Sequence, residues 1–243
     1  MRPFLAVIPA LLLLVSACSK GMDYGKAEAD MGYGDSSYFL PGDRTASQAV
    51  GTVKTRDGVR FIQLDPVSTG FVVNPKEIEG ISDGTRVYLQ YRTVLSPETP
   101  DFCTDAILVE WATPLEQGAV SLLNFEEAFS ADSYQSTDPV DIVPDWITSL
   151  EDGFLTLHYT IASGDKRHSF ALYRGMGSPV RFYLVHDADG DTGKTLKDGI
   201  ICFPLPMENL IPDGEGETVA ISLYYIKLDH TLKTLTFEYR SPK

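Results

Sequence analysis

The chain has 243 residues with 34 acidic and 20 basic side chains, which gives a formal net charge of −14, and 43% of its residues are hydrophobic. This length and composition allow one large or two small domains with an apolar core. The negative charge argues against nucleic-acid binding, which needs clustered Lys and Arg, and against electrostatic adsorption to anionic lipid.

The first predicted element is an export signal that ends at Cys18. Arg2 precedes an apolar run over residues 4–15, which is too short to span a bilayer. Small residues at Ser16 and Ala17 lead into Cys18, the pattern of a bacterial lipoprotein signal. We expect cleavage after residue 17 and a membrane anchor made of diacylglycerol and N-acyl lipid on Cys18. The alternative is an ordinary secretory peptide with an incidental cysteine.

A lipidated flexible tether is predicted over residues 18–37. The segment contains Gly, Asp and Tyr without apolar periodicity. The expected location is the cell envelope, at the outer membrane. The first acidic residue after Cys18 is Asp23, so the sequence leaves open whether the protein faces the periplasm or the cell surface.

Residues 38–117 have the pattern of a small β-barrel. Short apolar runs are separated by turn signals such as Asp57-Gly58, a strong hairpin signal. Alternation predicts two strands with one apolar face each: Val87, Leu89 and Tyr91 in the first, and Ile107, Val109 and Trp111 in the second. Five such strands in about seventy residues favour an OB-like barrel. The segment has no basic stripe.

Residues 118–243 are predicted to form a β-sandwich domain, which makes the fold class all-β. One short helix is expected within residues 122–129. Six or seven strands follow, and the last two form a hairpin across Asp229-His230.

Six segments of the chain consist mainly of hydrophobic patterns and turns, and they are residues 79–87, 138–143, 153–159, 166–172, 183–191 and 235–239. Through these segments the sequence resembles the NigD-like lipoproteins of the Bacteroidales. The resemblance implies an OB-like N-terminal domain followed by a β-sandwich, no established catalytic residues, and an immunity or accessory role alongside bacteriocin systems.

Asp187, Asp189 and Asp191 form the most conspicuous polar cluster. Alternating carboxylates on a loop suit Ca²⁺, but Thr192 stands where the EF-hand loop requires Gly. A solvated hairpin turn is the favoured interpretation, and neither a metal nor a cofactor is expected.

The sequence contains no catalytic pattern. Its four histidines have neither helical i, i+4 spacing nor cysteine neighbours, as a zinc site would. Residues 175–179 (Gly-Met-Gly-Ser-Pro) do not form a nucleophile elbow, because Pro179 follows Ser178. We therefore expect a protein that is not an enzyme.

Three tyrosines are candidates for an exposed ligand-binding surface: Tyr88, Tyr183 and Tyr224. Each lies on the less apolar face of its predicted strand.

Cys103 and Cys202 lie in strand-like runs, where either a disulfide or two buried thiols are compatible with the sequence.

The sequence thus predicts a non-enzymatic, lipid-anchored envelope protein. Its leading function is an accessory or immunity role, exerted by binding a toxin or another protein partner, and nucleic acid is not expected as a partner. The alternative is a surface lipoprotein that binds a glycan or a peptide through aromatic side chains.

Overall fold

The computed structural model describes residues 45–64, 67–130, 133–134, 137–175, 180–205 and 218–240. The predicted signal peptide, Cys18 and the predicted tether lie outside these residues. Within them, the fold is a closed five-stranded barrel followed by two further sheets. The predicted all-β class, with an OB-like barrel before a sandwich, is confirmed. No helix in the described part of the chain is long and apolar enough to span a membrane.

The barrel contains strands β1 to β5 in the closed order β1-β2-β3-β5-β4. Their bounds are Ser47–Arg56, Val59–Gln63, Thr69–Val72, Arg86–Val94 and Asp105–Pro114. All neighbours are antiparallel except β3 and β5. Asp57 and Gly58 have φ values of 53° and 80°, as expected for a two-residue hairpin turn.

The inside of the barrel is filled by aliphatic side chains. Val53, Ile62, Val87, Leu89, Ile107 and Val109 are fully buried there. A short 3₁₀ helix, Pro75–Ile78, follows β3 and adds the fully buried Ile78 to this core. The alternation seen in the sequence thus produces a barrel whose interior is apolar.

The sandwich consists of two sheets built from β6 to β15. The first sheet has the order β6-β13-β10-β8, with β9 also paired to β10, and the second has the order β15-β14-β12-β11-β7. The strands of the first sheet are Glu116–Gln117 (β6), Asp141–Ile142 (β8), Ser149–Glu151 (β9), Phe154–Ser163 (β10) and Thr195–Pro204 (β13). Those of the second are Ala119–Asn124 (β7), Ser169–Arg174 (β11), Arg181–Asp187 (β12), Thr218–Ile226 (β14) and Leu232–Arg240 (β15).

A large apolar core lies between these two sheets. It includes Leu155 and Leu157 of β10, Phe203 of β13, and Leu172 and Leu223 of the facing sheet, all fully buried. Gly118 lies where the chain passes from β6 in the first sheet to β7 in the second. Because Gly118 has no side chain, the ring of Phe203 packs directly against the Gly118 backbone.

The short helix expected within residues 122–129 is present as α1 (Phe125–Ala128). Residues 119–124 before it form β7, which pairs with β11. Glu116 and Gln117, which the predicted domain boundary assigns to the barrel domain, pair with β13 of the sandwich. The expected C-terminal hairpin is present as β14 and β15.

Candidate functional site

A β-bulge at Glu110 changes the direction of the side chains on β5. Gln90 of β4 is opposite Trp111, whereas the next residue, Tyr91, is opposite Val109, so Glu110 is an extra residue. The predicted alternation, with Trp111 on the same face as Val109, is therefore wrong at this position. The bulge places Trp111 on the outer face of the barrel, beside Tyr88.

Three aromatic side chains meet where the barrel adjoins the sandwich. The ring of Tyr88 packs edge-to-face on Trp111, with centroids 5.2 Å apart. The Tyr88 ring also lies 6.2 Å from the ring of Trp146, which the loop between β8 and β9 contributes. Trp146 is 55% exposed. We call Tyr88, Trp111 and Trp146 the junction cluster.

A tight turn holds Trp146 in place. The Oδ1 atom of Asp145 accepts hydrogen bonds from the amides of Ile147 and Thr148, at 3.0 and 3.3 Å. Its Oδ2 atom lies 2.7 Å from Nδ1 of His158 on β10. Because both carboxylate oxygens are engaged, the turn presents the Trp146 ring on a fixed backbone.

A row of polar side chains adjoins the junction cluster on the barrel surface. The hydroxyl of Tyr88 donates to Gln48 at 2.7 Å, and Gln48 donates to Gln90 at 3.4 Å. The carboxylate of Glu110 accepts from both Gln90 and Arg92. Amides, a carboxylate and a guanidinium thus continue the aromatic surface across β1, β4 and β5.

Gln48 also lines a cavity of about 270 Å³ in the barrel domain. Ser68, Tyr91, Thr93 and Asp105 supply hydroxyl and carboxylate groups to its wall. The described residues of this wall include neither Lys nor Arg. Gln48 lines this cavity and also accepts the hydrogen bond from Tyr88, so the cavity adjoins the junction cluster.

Arg86 joins the barrel to the sandwich two residues before Tyr88. Its side chain is fully buried, and its Nη2 atom lies 3.3 Å from Glu151 of the sandwich. It also donates to Thr52 of the barrel at 3.1 Å and to Thr156 of the sandwich at 3.4 Å. Desolvation lowers the pKa of Arg86, and the charge of Glu151 opposes that shift. These contacts fix the position of β4 beside the sandwich.

Tyr183 and Tyr224, the other two tyrosine candidates, lie together in the second sheet of the sandwich. Their rings stack at 5.0 Å, and Tyr183 also stacks on Phe125 of α1 at 4.0 Å. Phe125 covers Tyr183, and the ring of Tyr134 packs edge-to-face against the ring of Tyr183. The structure therefore does not unite these two residues with Tyr88 in one surface.

The carboxylates of the Asp187–Asp191 loop bind backbone amides. Asp187 accepts from the amide of Asp189, and Asp191 accepts from Gly164 and Gly193 at 2.7 and 2.8 Å. Across the described ranges, no three His, Cys, Asp or Glu side chains converge as they would around a metal ion. The contacts observed here are those of a stabilised turn.

Asp191 also ends a buried chain of histidines. Its carboxylate lies 3.1 Å from Nε2 of His168, whose Nδ1 lies 2.8 Å from Nε2 of His186. Nδ1 of His186 lies 3.0 Å from the carbonyl oxygen of Pro139, which only accepts. Burial lowers the pKa of His186. With Nδ1 of His186 donating to Pro139, Nε2 of His186 faces Nδ1 of His168 as the acceptor.

Cys103 and Cys202 are both free and buried. Burial raises the pKa of Cys202 to about 11. At neutral pH that thiol is therefore protonated and poorly nucleophilic. The predicted lipidation at Cys18 lies outside the described residues and stays a prediction.

Sequence comparison decides the family. The family described as the NigD-like C-terminal beta sandwich domain matches residues 121–239. The chain therefore contains a NigD-like C-terminal β-sandwich domain. The resemblance inferred from the sequence is thereby confirmed. No curated protein matches the chain in sequence.

Solved structures from Parabacteroides and Bacteroides share the fold of this chain. A toxin-related protein of Parabacteroides distasonis has a TM-score of 0.63 at 21% identity, over 81% of this chain and 94% of its own. A NigD-like immunity protein of Bacteroides caccae has a TM-score of 0.53 at 22% identity, over 82% and 99%. A protein assigned as a lipoprotein in Bacteroides fragilis has a TM-score of 0.53 at 11% identity, over 82% and 98%.

Sequence reasoning found Tyr88 and missed its two partners. Trp111 was assigned to the barrel interior by alternation, and no local signal marked the bulge. Trp146 lies 35 residues further on in a different domain, so only the packing of barrel against sandwich reveals the contact. The one available signal was the Asp145-Trp146 pair in a turn, since a large aromatic side chain is unusual there.

Proposed function

We propose that this NigD-like protein is a non-enzymatic, lipid-anchored binding protein of the cell envelope that captures a protein partner through the junction cluster. The exposed Trp146 ring, packed against Tyr88, carries this proposal. Trp and Tyr side chains dominate the binding energy of protein interfaces, because they bury a large apolar area and lose little conformational entropy. The fixed turn around Asp145 lowers that entropy cost further.

An immunity or accessory role fits this partner-capture function. One solved structure with the same fold is a NigD-like immunity protein, and another is a toxin-related protein. A protein anchored by lipid on Cys18 would meet an incoming toxin at the envelope. Binding alone would neutralise such a toxin, so the role requires no catalytic group.

Site-specific photocrosslinking tests the role of the junction cluster. A photoreactive phenylalanine replaces Trp146 in one variant and Leu232 in the control, since Leu232 is also exposed, at 51%, and lies on β15. We expect a protein adduct from position 146 that is absent from position 232. Trp146→Ala should abolish co-purification of that partner. Identical adducts from both positions would contradict the proposal.

Glycan binding is the second candidate function, and the polar row beside the junction cluster favours it. Gln48 and Gln90 present amide groups next to aromatic rings, and the adjoining cavity offers hydroxyl groups and a carboxylate. OB-type barrels bind oligosaccharides as well as nucleic acids. A glycan array with the purified mature chain separates the two functions. Reproducible binding that the Gln90→Ala change weakens would support a glycan ligand. An array without binding would support the protein partner.

The proposed anchor is testable by itself. Cys18→Ala should release the protein from the membrane fraction, whereas Cys103→Ala should not. Protease treatment of intact cells then decides the orientation, because digestion requires exposure at the cell surface. Membrane retention of the Cys18→Ala variant would overturn the lipid anchor without affecting the assignment of the binding site.

A further inference from the structure

A groove of about 430 Å³ lies on the outer face of the second sheet, on the strands β11 and β12. Its apolar wall consists of Ala171, Val185 and the rings of Phe129 and Tyr173. These two rings pack edge-to-face, with centroids 5.0 Å apart and planes at 85°. The groove volume falls in the range of pockets that hold small ligands or side chains.

One end of this groove is acidic. Oδ2 of Asp138 accepts a hydrogen bond from the amide of Ala188. Oδ1 of Asp187 accepts one from the amide of Asp189, and both distances are 2.8 Å. The other oxygen of each carboxylate has no hydrogen-bond partner among the described residues. These contacts fix the two side chains and leave an acceptor on each.

Among the described residues of the groove wall, no Lys or Arg offsets these carboxylates. His186 also lies in the wall, but burial lowers its pKa, so it is uncharged at neutral pH. The groove therefore combines aromatic faces with an uncompensated negative end.

We propose that this β11–β12 groove binds an arginine side chain presented by a partner polypeptide. A guanidinium is planar, donates five hydrogen bonds and stacks on aromatic rings, so one group satisfies both carboxylates while its stem lies along Ala171 and Val185. A lysine ammonium fits less well, because it is a compact, strongly hydrated charge that does not stack. The net charge of −14 also attracts basic partners.

This inference does not depend on the junction cluster. The groove lies on the second sheet of the sandwich, whereas Trp146 belongs to the loop between β8 and β9 of the first. A partner that fills the groove need not be the one that contacts Trp146. Trp146→Ala therefore serves as a variant that leaves the groove intact.

The test is an NMR titration of the purified chain with N-acetyl-arginine amide, with the lysine and leucine amides as comparisons. We expect the arginine compound to shift the methyl signals of Ala171 and Val185 and the ring signals of Tyr173. Asp187→Asn and Asp138→Asn keep the oxygen that accepts the loop amide, and each should weaken arginine binding by about tenfold. Asp57→Asn, which removes the same charge from the exposed barrel turn, should have no effect.

Two results would overturn the inference. One is equal binding of the arginine and leucine compounds, which would exclude recognition of the charge. The other is unchanged arginine affinity in both the Asp187→Asn and Asp138→Asn variants with native spectra. Loss of protein capture in the Trp146→Ala variant, with the arginine titration unchanged, would separate the groove from the proposed function.

Discussion

Asp191 shows how one side chain joins two turns. Its carboxylate accepts hydrogen bonds from the amides of Gly193 and Gly164 and contacts the ring of His168. These hydrogen bonds, with Gly193 contributing most, hold the pKa of Asp191 well below its ordinary range. A carboxylate whose pKa is lowered by folding stabilises the folded state above its unfolded pKa, about 3.9, and that contribution disappears as the pH falls.

We therefore expect the free energy of unfolding to fall as the pH drops below about 4, partly because of Asp191. Asp191→Asn should lower stability at neutral pH and flatten the acid limb of the stability profile. Urea unfolding at several pH values between about 2.5 and 7 measures both effects. Asp57→Asn is the control, because the exposed Asp57 tolerates Asn at its positive φ. An acid limb equally steep in Asp191→Asn and in the wild type would contradict the assignment.

At the scale of elements, Gly118 is required where the chain crosses between sheets. A Cβ atom at this position would lie 2.0 Å from Cε1 of the buried Phe203 ring. The ring is surrounded by core side chains and has little room to move. The crossing from β6 to β7 thus depends on the absence of a side chain.

Gly118→Ala should destabilise the sandwich by about 1–3 kcal/mol through overpacking. Phe203→Leu makes room for the added methyl group, so the double variant should lose less stability than the sum of the two single changes. Chemical unfolding of all four proteins completes this double-mutant cycle. Strict additivity would show that Gly118 is not constrained by Phe203.

The strands themselves were predictable, whereas their irregularities were not. Alternation of Val87, Leu89 and Tyr91 located β4, and Asp57-Gly58 located the first hairpin turn. The bulge at Glu110 escaped prediction because its extra residue is evident only from the pairing of β5 with β4. Strand β7 escaped prediction for a similar reason, since it forms by pairing with β11, which lies far along the chain.

Prediction of the candidate site from the sequence was limited in the same way as prediction of the bulge. Tyr88 was identified as exposed from its position opposite apolar neighbours, and the structure places it on the outer barrel surface. Its contact with Trp146 depends on how two domains pack, which periodicity does not report. Tyr183 had the same local pattern as Tyr88, yet Phe125 of α1 covers it. Equal strand patterns thus lead to different exposure when a neighbouring element covers one of them.

At the scale of the whole molecule, Arg86 connects the two β-units. Its guanidinium is fully buried, and it pairs with Glu151, which is 27% exposed. A second ion pair, between Lys54 of the barrel and Asp152 of the sandwich, lies close by in the chain. A buried charge that loses its partners is strongly unfavourable, so relative movement of barrel and sandwich would carry a large free-energy cost.

Arg86→Met should therefore weaken the connection between barrel and sandwich. We expect a loss of about 3 kcal/mol, because the change breaks the ion pair of a fully buried guanidinium with Glu151 and removes its hydrogen bonds to Thr52 and Thr156. Calorimetry should show one unfolding transition in the wild type and two in the variant. The double variant Arg86→Met with Glu151→Leu should recover part of the stability, since it also removes the charge that Arg86 offsets.

Arg92→Met is the matched control, because Arg92 pairs with Glu110 inside the barrel domain. It should lower stability without splitting the transition. If Arg86→Met separates the two units, Tyr88 and Trp146 separate with them, and the tryptophan fluorescence of the native state should change. Partner capture at the junction cluster should then fail although all three aromatic residues are present, because the site exists only while the two domains are held together.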